Sequence, residues 1–197
     1  MIQQYVKDPN LVHAQIKAMN EIYVDAKEEL PINAPPPRGD PVQVNCFVDR
    51  DYEGDHLTRH SQAGIILYCN SVPIIWYLKR QTTVESSTFG AEFVAFQIAV
   101  EMIISLWYKL RMFGIPVPDP SNIFCDNKSL YKNVSIAKFT LKKKHNLICF
   151  HCLRECVAVG ILVVHKVDSS FNLSDLLTKS LPAHDRVELQ KRIMYCD

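Results

Sequence analysis

The order of hydrophobic periods along this chain constrains its fold more than any single motif does. From Val42 the residues alternate, with Val42, Val44, Cys46 and Val48 on one face and Gln43, Asn45, Phe47, Asp49 and Asp51 on the other, as in a strand of period two. Ala63 to Tyr68 and Val72 to Leu78 are two more apolar runs, and Cys69-Asn70-Ser71 between them reads as a hairpin turn. Pro73 cannot donate to a ladder, so the third run belongs at a sheet edge. Three antiparallel strands therefore come first. Ser86-Ser87-Thr88 then supplies caps for a long apolar helix running to about Phe113, where Gly114 and Pro116 stop it. Ile123-Phe124-Cys125 reads as a short strand, Lys128 to Asn133 as a short helix, Lys142 to Val159 as a helix ended by Gly160, and Ile161 to Val167 as a buried strand; a last helix opens near Asn172 or Ser174. The order βββαβαβα indicates an α/β fold, a mixed sheet flanked by helices.

This pattern starts only after a break. Leu30 to Asp40 holds four prolines and a glycine, the composition of a stiff, extended linker. Residues 8 to 29 have helical spacing at Leu11, Ile16, Met19, Ile22, Tyr23 and Ala26. The expected organisation is a helix and linker over 1–40, a compact domain over 41–182 and a tail over 183–197. A net charge of +1 announces no polyanion partner, and 48% hydrophobic residues exclude a disordered chain. No signal peptide is legible at the N-terminus, and Glu92, Gln97, Glu101 and Lys109 interrupt the long apolar helix, so the expectation is an intracellular protein without a membrane span. The cysteines number seven, an odd count in a chain too large to need disulfide staples, and are expected free.

Four carboxylates stand inside or at the tips of these apolar elements: Asp49 after Cys46-Phe47-Val48, Glu92 within Phe89-Gly90-Ala91-Glu92-Phe93, Asp126 after Ile123-Phe124-Cys125, and Asp175 before Leu176-Leu177. Burying a carboxylate costs several kcal/mol unless a cation or donors compensate it, so four converging acids call for a bound metal. Oxygen-only ligands favour Mg²⁺ or Mn²⁺ over zinc. Two such ions about 4 Å apart activate a water and stabilise the leaving oxygen at a phosphodiester. Taken singly, each acid reads first as a solvated strand-end or helix-cap carboxylate; it is the four together, at strand ends and helix first turns, that weaken that reading. His145, Cys149, Cys152 and Cys156 share one helical face, but eleven residues rise roughly 16 Å, too far for ligands held ~2.3 Å from one zinc ion. The three cysteines are expected to pack in the core.

The blocks Asp49-Arg50-Asp51-Tyr52-Glu53-Gly54-Asp55, Leu57-Thr58-Arg59-His60-Ser61, Glu85 to Ala95, Cys125-Asp126-Asn127, Lys143-Lys144-His145 with His151 and Arg154-Glu155, and Asn172 to Lys179 resemble, in order, the ribonuclease H domain of copia-type (Ty1/copia) retrotransposon polyproteins. The resemblance covers roughly residues 42 to 182. It implies a ribonuclease H-like fold, a five-stranded mixed sheet with helices, that hydrolyses the RNA strand of RNA/DNA hybrids. It further implies two Mg²⁺ ions, replaceable by Mn²⁺, held by Asp49, Glu92, Asp126 and Asp175, with Asp51 the rival for the first position. Where many copia-type sequences read Ser-Thr-Glu-Ala-Glu, Gly90 replaces the first glutamate. Cellular ribonucleases H carry a mobile loop histidine before the last Asp; His165 lies upstream of Asp175 but falls inside the expected strand Ile161 to Val167. The reverse transcriptase of the same polyprotein is the implied partner. Candidate nucleic-acid contacts are Lys142, Lys143, Lys144, His145, Arg59 and Asn127. Two alternatives stay open: a catalytically silent module that binds nucleic acid or a partner, and a DNA strand transferase resembling integrase, which would not need Asp175.

Overall fold

In the computed structural model the described residues are 35–51, 61–81, 88–135 and 147–194. Their strands are β1 (Val44–Asp51), β2 (Gln62–Cys69), β3 (Val72–Arg80), β4 (Ser121–Cys125) and β5 (Leu162–Lys166). The helices are α1 (Thr88–Met112), α2 (Lys128–Ser135), α3 (Leu147–Ala158), α4 (Asp175–Thr178) and α5 (Ala183–Met194), with a 3₁₀ turn at Ser169–Phe171. The five strands form one sheet in the order β3-β2-β1-β4-β5. β1 pairs antiparallel with β2 and β2 with β3, whereas β1–β4 and β4–β5 are parallel. Both parts of the expectation, three antiparallel strands and a mixed sheet, are met, and β3 with its Pro73 is an edge.

Local chemistry accounts for the joints. Asn70 turns the β2–β3 hairpin at φ 54°, a left-handed conformation that Asn tolerates. Its side-chain oxygen accepts from Gln43 N at 2.9 Å, which ties the hairpin to the start of β1. α1 ends as expected at Gly114, where φ is +75° and Ile115 N reaches back to Leu110 O at 2.8 Å, closing the last turn. The Pro-rich segment arrives at this helix end, with Arg38 N donating to Gly114 O and Val42 N to Pro116 O.

Alternation in β1 divides the molecule into two cores. Val44, Cys46 and Val48 face α1, α2 and α3 and join Ile65, Phe93, Phe96, Ile103, Leu130 and Leu153 in the larger core. Phe47 points the other way, stacked on Phe124 at 4.8 Å, with Ile66, Tyr68, Val167, Leu173 and Leu189 around it. Each such buried side chain contributes about 1.5–3 kcal/mol by leaving water. Residues 183–197, expected as a tail, include instead the helix α5, whose Leu189 is buried in this second core. The sheet face opposite α1 would otherwise expose Phe47 and Phe124, and α5 helps cover it. α1 is long and apolar enough to cross a membrane by length and composition, but half of its most apolar stretch is buried; it is the core helix of the sheet. All six described cysteines are free.

Candidate metal centre

Strand register brings the first two acids together. The parallel pairing of β1 with β4 runs to Phe47 opposite Phe124. Asp49 and Asp126 each lie two residues further on, so they leave the two central strands at one level and on one face. Both stand at the carboxyl ends of the strands, where open α/β sheets place their ligands.

Asp175 returns to the same point through Asn172. Beyond the last β1–β4 pair, the Val48 carbonyl accepts a hydrogen bond from Asn172 Nδ2 at 3.1 Å, and Asn172 is fully buried. Ser174 Oγ donates in turn to Asn172 Oδ1 at 2.7 Å. These bonds hold the start of α4 against β1. Gly64, opposite Asp49 on β2, lets the helix lie close: a Cβ there would stand 2.5 Å from Thr178 Cγ2 and 3.2 Å from Leu177 Cβ and Ser174 O. Thr178 Oγ1 then donates to Asp49 Oδ2.

The outcome is a cluster in which one carboxylate oxygen each from Asp49, Asp126 and Asp175 lies within 4.8 Å of the others. Asp51, further along β1, is not part of it. Glu92, on α1, lines the adjoining cleft with Asp49, Arg50, Asp126 and Asn127 but stands outside the three-acid cluster. Asn127 links the two parts. Its Oδ1 accepts from Ser129 N at 2.6 Å and Leu130 N at 3.0 Å, capping α2, and its Nδ2 donates to Glu92 Oε2. Arg59 and Lys142, Lys143, Lys144 and His145 lie outside the described residues. His165 sits in a strand, as expected: it belongs to β5, stacked on Phe124 and hydrogen-bonded to Asn122, and burial lowers its pKa to about 4.

The acids are held in an unfavourable environment. Burial, reinforced by the charges of Asp126 and Asp49, pushes Glu92 up to about 7 against the pull of Arg50 and Lys179. Asp175 is also raised to about 7, by burial and by the charge of Asp49, with Lys179 opposing. Asp49 rises through burial and Asp126, although Thr178 and Lys179 favour its charged form. Asp175 Oδ1 is buried with no hydrogen-bond partner among the described residues. An all-oxygen donor set with a buried, unpartnered carboxylate oxygen suits a hard divalent cation such as Mg²⁺ or Mn²⁺.

One member of the site was not anticipated. Lys179 Nζ lies 2.9 Å from Asp175 Oδ2, 3.3 Å from Asp49 Oδ2 and 3.6 Å from Asp126 Oδ2. Burial alone would lower its pKa, but the hydrogen bond to Asp175 and the charges of Asp49, Asp175 and Asp126 raise it above the ordinary lysine value. The spacing of Asp175 and Lys179, i and i+4 on a helix, signals that one contact in the sequence. Nothing in the sequence signals the other two.

No family model matches the chain. Among solved structures it is similar to the N-terminal RNase H domain of a Mycobacterium tuberculosis protein, with TM-score 0.53, 12% identity and 76% of this chain and 97% of that one covered. It is likewise similar to LC11-RNase H1, solved in complex with an RNA/DNA hybrid, with TM-score 0.54, 15% identity and 68% and 93% covered. The fold is that of ribonuclease H. In sequence, the chain is 30% identical over 144 residues to the retrovirus-related Pol polyprotein from transposon RE1 and 29% identical over 144 residues to that from transposon RE2, both of Arabidopsis thaliana. Against the corresponding polyprotein from transposon TNT 1-94 of Nicotiana tabacum the identity is 28% over 155 residues. These alignments take in 73% to 79% of this chain, yet the chain spans only 10% to 11% of the length of those relatives. The homologues are copia-type Pol polyproteins and the structural neighbours are ribonuclease H domains, so a ribonuclease H domain of a copia-type retrotransposon fits both findings.

Proposed function

We propose that this chain is a metal-dependent endonuclease that hydrolyses the RNA strand of RNA/DNA hybrids within a retrotransposon polyprotein. The observation that carries the reading is the meeting of Asp49, Asp126 and Asp175, remote in sequence, within 4.8 Å of one another at the carboxyl ends of β1 and β4. When bound there, two Mg²⁺ ions, or Mn²⁺ in their place, supply water activation and charge stabilisation at the scissile phosphodiester. Asp49, Asp126 and Asp175 are the ligands from the sheet and α4. Glu92, held by Asn127 at the other wall of the cleft, completes the set. Lys142, Lys143, Lys144, His145 and Arg59 serve the phosphates of the hybrid, and Asn127 the minor groove. A hybrid is told from duplex DNA by its 2′-hydroxyls and groove shape. The reverse transcriptase of the same polyprotein is the partner that holds the hybrid, and the setting is intracellular.

The test is cleavage of an end-labelled RNA/DNA hybrid with Mg²⁺, with duplex DNA as the control. The expected result is cutting of the RNA strand only, abolished by Asp126→Asn. An uncut hybrid favours a silent binding module, and cutting of duplex DNA favours a strand transferase.

A further inference from the structure

Lys179 fills the place where the three acids converge. Its ammonium is 2.9 to 3.6 Å from one oxygen of each of Asp175, Asp49 and Asp126, and the side chains of Asp49 and Asp175 are each only 5% exposed. A hard divalent ion takes carboxylate oxygens at about 2.1 Å. It therefore needs the space between these oxygens, and a second cation held there is both an obstacle and a like charge. The lysine side chain is itself 34% exposed, on a flexible four-carbon stem. Beside it lies an open cavity of about 540 Å³ whose lining includes Asp175, Lys179, His184, Asp185, Glu188 and Arg192. Its α5 wall is mixed in charge, with Asp185 beside His184, Glu188 paired with Lys191 and Arg192 over Phe171, so it offers an ammonium that leaves the cluster room and solvent.

We propose that Lys179 is a tethered cation that closes the carboxylate cluster in the metal-free protein and swings toward the α5 cavity when a divalent ion enters. The affinity of the site for metal is then set by competition with the chain's own ammonium. This rests on the metal-centre reading above and adds to it a reason why the folded chain tolerates three crowded acids before metal arrives. It also assigns a use to the last residue of the Asn172–Lys179 block that the ligand set leaves over.

The experiment uses the full chain without nucleic acid. Mn²⁺ binding is titrated by electron paramagnetic resonance of the free ion, and melting temperatures are recorded with chelator and with saturating Mn²⁺. For an internal competitor that is closed most of the time, removal raises the apparent affinity by the closed-to-open ratio, about 5- to 30-fold for ion pairs of ordinary strength. Lys179→Met is expected to bind Mn²⁺ tighter by that factor, to melt lower without metal, and to gain more from Mn²⁺ than the unmutated chain. Lys179→Arg keeps a cation and is expected to stay close to the unmutated chain. In the unmutated chain, acetylation of Lys179 read by peptide mass spectrometry is expected to rise when Mg²⁺ is added, which keeps the test open if Lys179→Met fails to fold. Equal Mn²⁺ affinities in the unmutated chain and Lys179→Met, or acetylation that does not respond to Mg²⁺ in a chain that binds it, overturn the competition and leave the metal centre standing. No Mn²⁺ binding by either protein overturns both.

Discussion

Replacing Gly64 by alanine is expected to disable the site without touching any acid. The new Cβ would stand 2.5 Å from Thr178 Cγ2, and α4 must retreat by about 1 Å to reach ordinary contact. Rotating Thr178 aside is not a free alternative, because its hydroxyl is committed to Asp49 and to Ser174 O. Overpacking of this kind costs about 1–3 kcal/mol. α4 carries Asp175 and leads into Lys179, so the same movement pulls one ligand off the other two; a 1 Å misplacement of reacting groups costs about 100-fold in rate. The measurements are urea unfolding of the metal-free protein and the initial rate of hybrid cleavage. Thr178→Ser keeps the hydroxyl and removes Cγ2, so in a double-mutant cycle it is expected to restore part of both losses, with Leu177 Cβ and Ser174 O at 3.2 Å accounting for the rest. Unchanged stability and rate in Gly64→Ala, or no recovery in the double variant, would refute the account of Gly64 as the seat of α4.

Two further predictions concern the acids and their clamp. Glu92 and Asp175, both raised to about 7, hold protons in the folded protein that the unfolded chain, with values near 4.5 and 3.8, has already released. The folded state binds more protons across that interval, so metal-free stability is expected to fall as pH rises from about 4 through 7, and saturating Mg²⁺ to remove the fall. Unfolding midpoints in urea with chelator across this range check it, and stability that climbs instead contradicts the burial of these groups. Asn127→Ala removes the cap of α2, worth about 1 kcal/mol, and also the donor to Glu92, so cleavage is expected to drop further than stability explains. Asn127→Ser keeps a cap but does not reach Glu92, and is expected to recover stability only; recovery of the rate as well would show that the Glu92 contact is dispensable.

Much of the architecture was legible because it is written in local periods. The alternation from Val42, the turn at Asn70, the edge-forming Pro73 and the stop at Gly114 each act within a few residues, and the elements they bound appear where the sequence places them. α5 escaped because only Leu189 of its residues is buried, too thin an apolar stripe to mark a core helix. The helix expected to open near Asn172 or Ser174 does open at Asp175, with Ser174 at its cap position, but it is a single turn preceded by a 3₁₀ turn at Ser169–Phe171. Asn172 is spent instead on the Val48 carbonyl, a bond between residues 124 apart that no local pattern announces.

The sequence by itself determined which acids end apolar elements and which face of each strand is greasy, since periodicity and the cost of burying charge are properties of neighbouring residues. It did not determine how those ends meet. Only the tertiary structure decided that β1 and β4 pair in the register that levels Asp49 with Asp126, that Asn172 brings Asp175 back to them, and that Lys179 lies among all three, because register and return are set by packing between segments far apart in the chain.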